Sequence, residues 1–168
     1  MTDYIGDIVV RRAALHDVPA MVRIESHSFT EPWSAEEITK DVTKGGNVYV
    51  AVAEDAGETV GYVDIWAVGD EAQLYNIVVD QSKRGRHIGR TLMQHAVDVC
   101  RKAGCSVMTL EVRASNTPAI NMYHSLGFED VGVRRAYYRD NHEDAILMNK
   151  DLTEVWTNHS NDLEVEVI

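Results

Sequence analysis

The pattern of this 168-residue chain predicts an α/β domain with one mixed sheet and helices packed on its faces. Two observations carry that expectation. The first half holds short β-rich runs joined by turn residues, as in hairpins. The second half changes rhythm and alternates strand with helix, which calls for crossover connections.

The elements follow in order. Ile8-Val9-Val10 predicts a first short strand. Asp17 is a good helix N-cap and Pro19 is tolerated in a first turn; Val18, Met21, Val22 and Phe29 then share one helical face. Ser34-Ala35-Glu36-Glu37 has the form of a capping box, so a second helix begins after Pro32-Trp33. Val48 to Ala53 predicts the second strand, Asp55-Ala56-Gly57 a turn, and Val60 to Val68 the third strand. After Gly69-Asp70, Leu74 to Val79 makes the fourth. Ile88, Leu92, Ala96, Val99 and Ala103 keep helical spacing until Gly104 stops them. Val107 to Val112 is the fifth strand, Pro118 opens a helix that Gly127 closes, and Phe128–Val133 and Ala145–Met148 are the last two strands. Residues 1–152 form one expected domain, and residues 153–168 an acidic appendage.

Composition excludes several classes. Hydrophobic residues are 45% and charged residues 26%, which is globular rather than disordered. No apolar run approaches the roughly 20 residues of a membrane span, and the start of the chain lacks a signal-peptide pattern, so a cytoplasmic protein without membrane association is expected. The net charge of -11 argues against direct nucleic-acid binding. It suits a cationic substrate or simply maintains solubility. Glu154, Asp162, Glu164 and Glu166 place four of those negative charges in the tail. Cys100 and Cys105 read as two free buried thiols, and no metal site is expected.

Three constellations carry chemistry. At Val78-Val79-Asp80-Gln81-Ser82-Lys83-Arg84-Gly85-Arg86-His87-Ile88-Gly89-Arg90 a strand passes through a basic, glycine-containing loop into a helix. Free N–H groups and the helix dipole there suit an anion, most naturally a pyrophosphate, although a solvated basic turn has the same pattern. Glu111 lies within an apolar strand, so its carboxylate must be paired, reached by a cleft, or protonated; Arg113 is the nearby candidate partner. Tyr123 follows Asn116 and Pro118 in a short helix, where a packed aromatic and a functional phenol are both open.

Taken together, these motifs resemble the GNAT superfamily of acetyl-CoA-dependent N-acetyltransferases over about residues 8–152. That family's phosphate loop reads Gln/Arg-x-x-Gly-x-Gly/Ala; this chain has Arg84-x-x-His87-x-Gly89, with His87 in place of the first glycine. The Asn116, Ala119, Tyr123 and Gly127-Phe128 pattern fits without departure. Pro32-Trp33-Ser34, the segment Asp70 to Ile77, Leu110 to Asn116, Arg134-Arg135-Ala136-Tyr137-Tyr138 and Glu143 to Met148 resemble more narrowly the RimI-type ribosomal-protein alanine N-acetyltransferases.

The resemblance implies the GNAT (acyl-CoA N-acyltransferase) fold: a mixed, mostly antiparallel sheet with splayed fourth and fifth strands, a bulge near Asn76-Ile77, and helices on both faces. It implies acetyl-CoA as cosubstrate, held at Ile77, Val78 and Val79, at Arg84, Gly85, Arg86, His87, Ile88, Gly89 and Arg90, and at Asn116 and Ala119. Glu111 becomes the general base and Tyr123 the general acid. Trp33, Tyr137 and Tyr138 become the groove for a protein N-terminus, expected from a ribosomal protein. A GNAT enzyme for a small amine or a lysine side chain, and a non-catalytic acetyl-CoA-binding regulatory module, are the alternatives; Glu111 and Tyr123 weigh against the module.

Overall fold

The computed structural model describes residues 3–5 and 7–153 of the chain. The expected tail therefore lies outside the described residues beyond Thr153. The elements are β1 (Asp3–Ile5), β2 (Ile8–Arg12), α1 (Val18–Ser28), α2 (Ala35–Lys44), β3 (Val48–Asp55), β4 (Glu58–Val68), β5 (Glu71–Val79), α3 (Ile88–Lys102), β6 (Val107–Arg113), α4 (Thr117–Ser125), β7 (Glu129–Arg134) and β8 (Ala145–Asp151). They build one sheet in the order β1-β2-β3-β4-β5-β6-β8-β7. Neighbours are antiparallel except β5 and β6, which run parallel. The expected order of elements holds, with β1 added in front; the expected fourth and fifth strands are β5 and β6.

Each face of the sheet is covered by a different pair of helices. Ile88, Leu92, Met93, Ala96 and Cys100 of α3 and Tyr123 of α4 join Met108, Leu110 and Val112 of β6 in one core. Met21 and Ile24 of α1 and Ile38 of α2 join Val50, Val52, Tyr62 and Val78 in the other. Burial alternates along β6, so Thr109, Glu111 and Arg113 point away from the α3–α4 core.

The capping box of α2 forms as expected: Glu37 N–H donates to Ser34 Oγ, and Ser34 N–H to Glu37 Oε2. Asp17 behaves differently. It precedes α1 but already has helical dihedrals, and its side chain caps nothing there. Its buried carboxylate instead receives both Arg11 guanidinium nitrogens at 2.8 and 2.9 Å, Ala14 N–H and Thr59 Oγ1. Burial pushes that carboxyl up, but the Arg11, Ala14 and Thr59 hydrogen bonds outweigh it and hold the pKa at about 2. Cys100 and Cys105 are free and buried; burial and the neighbouring Cys105 push the Cys100 thiol to about 12.

The feature that matters for function lies between β5 and β6. Their pairing covers only Glu71–Val107, Ala72–Met108 and Gln73–Thr109. Beyond it β5 runs on to Val79 and β6 to Arg113 without meeting. Between β4 and β5 the register shifts, with Ile65 opposite Leu74 and Asp64 opposite Asn76, so Tyr75 is the extra residue of a bulge. The bulge sits one residue before the expected Asn76-Ile77.

Candidate active site

One side of the gap is made of backbone. Asp80 N–H bonds Val60 O, and alternation along an antiparallel ladder turns Val78 toward β4 as well. The N–H and C=O groups of Ile77 and Val79 therefore face the gap left by β6. Val78 is not part of that open edge: its backbone belongs to β4 and its side chain to the α1–α2 core.

The loop after β5 delivers the chain into α3. Gly85 and His87 both have left-handed backbone, with φ of +78° and +60°. His87 is the N-cap of α3, and the first main-chain bond of the helix is Thr91 N–H to His87 O. The N–H groups of Ile88, Gly89 and Arg90 thus precede the hydrogen-bonded ladder and are available to an anion. A Cβ on Gly89 would touch Met122 Sδ at 3.5 Å and Val79 Cγ2 at 3.7 Å, ordinary van der Waals contact, so a larger side chain there would press on β5 and α4.

The arginines play a different part from the one their charge suggests. Arg84 Nε donates to Val79 O and its guanidinium reaches Ser28 Oγ. Arg86 and Lys83 both pair with Asp55, and Arg90 bonds Ser125 Oγ. These side chains brace the loop against β3, α1 and α4, and leave the main-chain N–H groups at the start of α3 as the candidate anion site. Asn116 likewise serves the fold, since its side-chain oxygen accepts Ala119 N–H and caps α4.

The two candidate catalytic groups lie on either side of β6. Glu111 is on the face away from α3 and α4, and its carboxylate is 3.3 Å from Arg134 Nη1. Tyr137 donates its hydroxyl to Glu111, which holds the Tyr137 phenol above its ordinary pKa. The ion-pair partner is thus Arg134 and not Arg113. Arg113 is taken by Asp140 and Glu143 and packs its guanidinium 3.8 Å over the Tyr138 ring. Tyr123 packs edge-on against Phe128 in the α3–α4 core, and burial pushes its phenol pKa up.

The acceptor side is aromatic. Tyr137 and Tyr138 stand edge to face on the segment between β7 and β8. That segment is fixed by the acids before β8: Glu143 accepts Ser115 N–H, which together with Asn141 and Arg113 brings its carboxyl to about 2, and Asp144 accepts Ala136 N–H and pairs with Arg135. Opposite, Trp33 lies 6.0 Å from Tyr75, and Tyr75 stacks on Trp66 at 4.6 Å. Tyr75 and Trp66 were not foreseen; the signal was an aromatic at the bulge of β5, legible only once the register is known. A cavity of about 710 Å³ runs between Ser28–Glu31 and Arg113, Tyr137, Tyr138 and Glu143. Tyr137 of its lining stands next to Glu111, while Glu111 itself and Trp33 are not among the lining residues.

Known proteins resemble this chain in sequence and fold. Residues 18–128 match the acetyltransferase (GNAT) family. The [ribosomal protein bS18]-alanine N-acetyltransferase of Escherichia coli K12 is 37% identical over 134 residues, spanning 79% of this chain and 89% of that protein. The N-alpha-acetyltransferase RimI of Mycobacterium tuberculosis is 35% identical over 141 residues, spanning 80% and 87%. The crystal structure of the E. coli ribosomal-protein-S18-alanine N-acetyltransferase superposes with a TM-score of 0.80 at 33% identity, covering 90% of this chain and 97% of that one.

Proposed function

The chain belongs to the acetyltransferase (GNAT) family, and from that premise we propose that it acetylates the N-terminal α-amine of a protein. Acetyl-CoA is the donor and the N-terminal alanine of a small-subunit ribosomal protein the acceptor. The observation that carries the reading is the gap between β5 and β6, with open backbone at Ile77 and Val79 on one side and Glu111 of β6, next to Tyr137, on the other.

The pantetheine arm pairs with Ile77 and Val79 as a missing strand would, and its pyrophosphate rests on the loop and first turn from Gly85 to Arg90. The acceptor enters along Tyr137, Tyr138 and Trp33. Glu111, directly or through a water, takes a proton from the ammonium group. The freed amine attacks the thioester carbonyl, the carbon–sulfur bond breaks and Tyr123 protonates the departing thiolate; the second proton that the nitrogen sheds on becoming an amide restores the Tyr123 phenol through water, and Glu111 releases the first to solvent. An α-amine suits this better than a lysine, since its pKa near 8 leaves about a tenth neutral at pH 7, against well under a thousandth for a lysine near 10.4. No acyl-enzyme is required, so the buried Cys100 and Cys105 stay outside the chemistry. A ribosomal acceptor places the reaction in the cytoplasm; no helix among the described residues is long and apolar enough to cross a membrane.

Mass spectrometry after incubation with acetyl-CoA tests the reading. An Ala-initiated ribosomal peptide should gain one acetyl group at its α-amine, and the same peptide with a blocked N-terminus and free lysines should gain none. Efficient acetylation of the blocked peptide, or a preference for a polyamine, overturns the acceptor assignment.

A further inference from the structure

One buried acid has no part in the chemistry above. Glu25 lies in the last turns of α1 with 1% of its surface exposed. A carboxylate near a helix C-terminus meets the negative end of the helix dipole, and burial removes its water. An apolar side chain of similar size would fill the same space without either cost. Its retention therefore calls for partners, and the partners are specific. Oε1 receives the Tyr62 hydroxyl from β4 and, at 2.6 Å, Asn76 Nδ2 from β5. Oε2 receives the Trp33 backbone N–H at 3.1 Å. Asn76 Nδ2 also reaches the Tyr62 hydroxyl, which closes the cluster.

These three donors are not spread at random through the core. Asn76 follows the bulged Tyr75 and precedes Ile77, where the open donor edge of β5 begins. Trp33 stands on the segment between α1 and α2, whose Ser28–Glu31 portion lines the acceptor groove, and its ring meets Tyr75. One carboxylate thus joins the strand that faces the donor to the segment that faces the acceptor. Both joints are hydrogen bonds to a carboxylate, which are stronger and more directional than neutral ones.

We propose that Glu25 is a positioning residue of the transferase: it sets the acceptor segment at a fixed height above the bulge of β5, so that an amine in the groove is aligned with a thioester on the donor edge. This rests on the acetyl-transfer reading but not on which amine is the acceptor. Gln is nearly isosteric with Glu, yet it replaces one acceptor oxygen by an NH₂ group. With that group toward Trp33 it meets a backbone N–H that cannot accept, and that joint opens; with it toward β5, Asn76 and Tyr62 must turn to accept, and both joints lose the charge that strengthens them.

Glu25→Gln should keep its fold and bind acetyl-CoA within about twofold of wild type, while KM for the Ala-initiated peptide rises about tenfold or more. Amide hydrogen exchange on the segment 29–34 should speed up in the same variant. Asn76→Ala cuts the β5 joint of the same bridge, so the double variant should be no worse in peptide KM than the worse single variant. Peptide KM within about twofold of wild type in Glu25→Gln, unchanged exchange at 29–34, equal losses of acetyl-CoA and peptide binding, or multiplying effects in the double variant would each overturn the proposal. If wild-type protein leaves the peptide unmodified while Glu25→Gln still loosens 29–34 at unchanged acetyl-CoA affinity, the acceptor assignment fails and the positioning role of Glu25 stands.

Discussion

Replacing Tyr123 by Phe separates chemistry from folding in this molecule. The ring is 4% exposed and packs edge-on against Phe128, 5.7 Å between centroids. Its hydroxyl makes no hydrogen bond to another described residue, and the rise of its pKa has burial as the main cause, followed by Tyr138. Phe keeps the ring and its contacts and removes an oxygen that the fold does not use. The stability cost should stay within about 0.5 kcal/mol, which for a chain of this size is about 1–2 °C in Tm. A structural hydroxyl would cost about 1–3 kcal/mol and a correspondingly larger shift. Turnover should respond quite differently. Without a proton for the leaving thiolate, kcat should fall by about 10²–10⁴, with little change in acetyl-CoA affinity. Thermal unfolding, steady-state detection of the released coenzyme A thiol, and calorimetry with acetyl-CoA read the three quantities. Because burial raises the Tyr123 phenol, it stays protonated beyond the usual range near pH 10, so it contributes no alkaline loss below that. Near-normal kcat in a folded Tyr123→Phe protein would refute the acid assignment, and a fall in Tm of many degrees would show the hydroxyl to be structural.

Gly89→Glu should weaken acetyl-CoA binding by about tenfold or more, read by calorimetry, because it puts a carboxylate at the first turn of α3, the proposed seat of the pyrophosphate. Glu111→Gln should lower kcat by about 10²–10⁴ with acetyl-CoA affinity retained, measured by the same thiol assay; near-normal turnover would move the base elsewhere. Asp64 is buried on β4, where burial first and Asp41 second raise its pKa, with Lys44 opposing. A raised carboxyl stabilises the fold below its unfolded pKa near 4 and loses that contribution as pH climbs through the folded value. Asp64→Asn should therefore flatten the decline of Tm above about pH 4; an unchanged slope would assign the decline to other groups.

What the sequence disclosed was local in origin. The capping box at Ser34, the stops at Gly104 and Gly127 and the helical spacing of α3 depend on neighbours within a few residues, and they form as expected. Segment β1 escaped because three residues, Asp3 to Ile5, carry too little pattern. The identity of each side chain's partner was mostly hidden. Glu111 pairs with Arg134, not with the Arg113 two residues away on the same face, because the segment before β8 offers Arg113 the acids Asp140 and Glu143. Glu25 meets residues 37 and 51 positions away, separations that no window along the chain can see. His87 shows the opposite case. The loop demands left-handed backbone at that position, where glycine is at ease, and the chain meets the demand with a histidine at φ +60°. The departure from the family pattern changes the residue and leaves the backbone turn in place.

The gap in the sheet follows from a single extra residue. Gln73 is the last residue of β5 paired with β6, and Tyr75, two positions on, is the bulge against β4. An inserted residue bends and twists its strand. The bend comes where β5 would have to stay flat to keep its parallel partner, so the two strands part there. At the closed end the pair is fastened by Ser106 N–H to Asp70 O and by the Ser106 hydroxyl to Asp70 Oδ2, so divergence is possible only toward Val79 and Arg113. Glu25 then fixes the far side of the bulge through Asn76. The consequence is a stretch of β5 with main-chain groups at Ile77 and Val79 turned to the gap. Main-chain groups within a fold require partners. Val79 O takes Arg84 Nε, and the remaining groups are open to water or to a ligand that can behave as a strand. The proposed pantetheine arm, with its amides spaced along an extended chain, would pair there as a strand does, with Glu111 on the opposite side of the same gap.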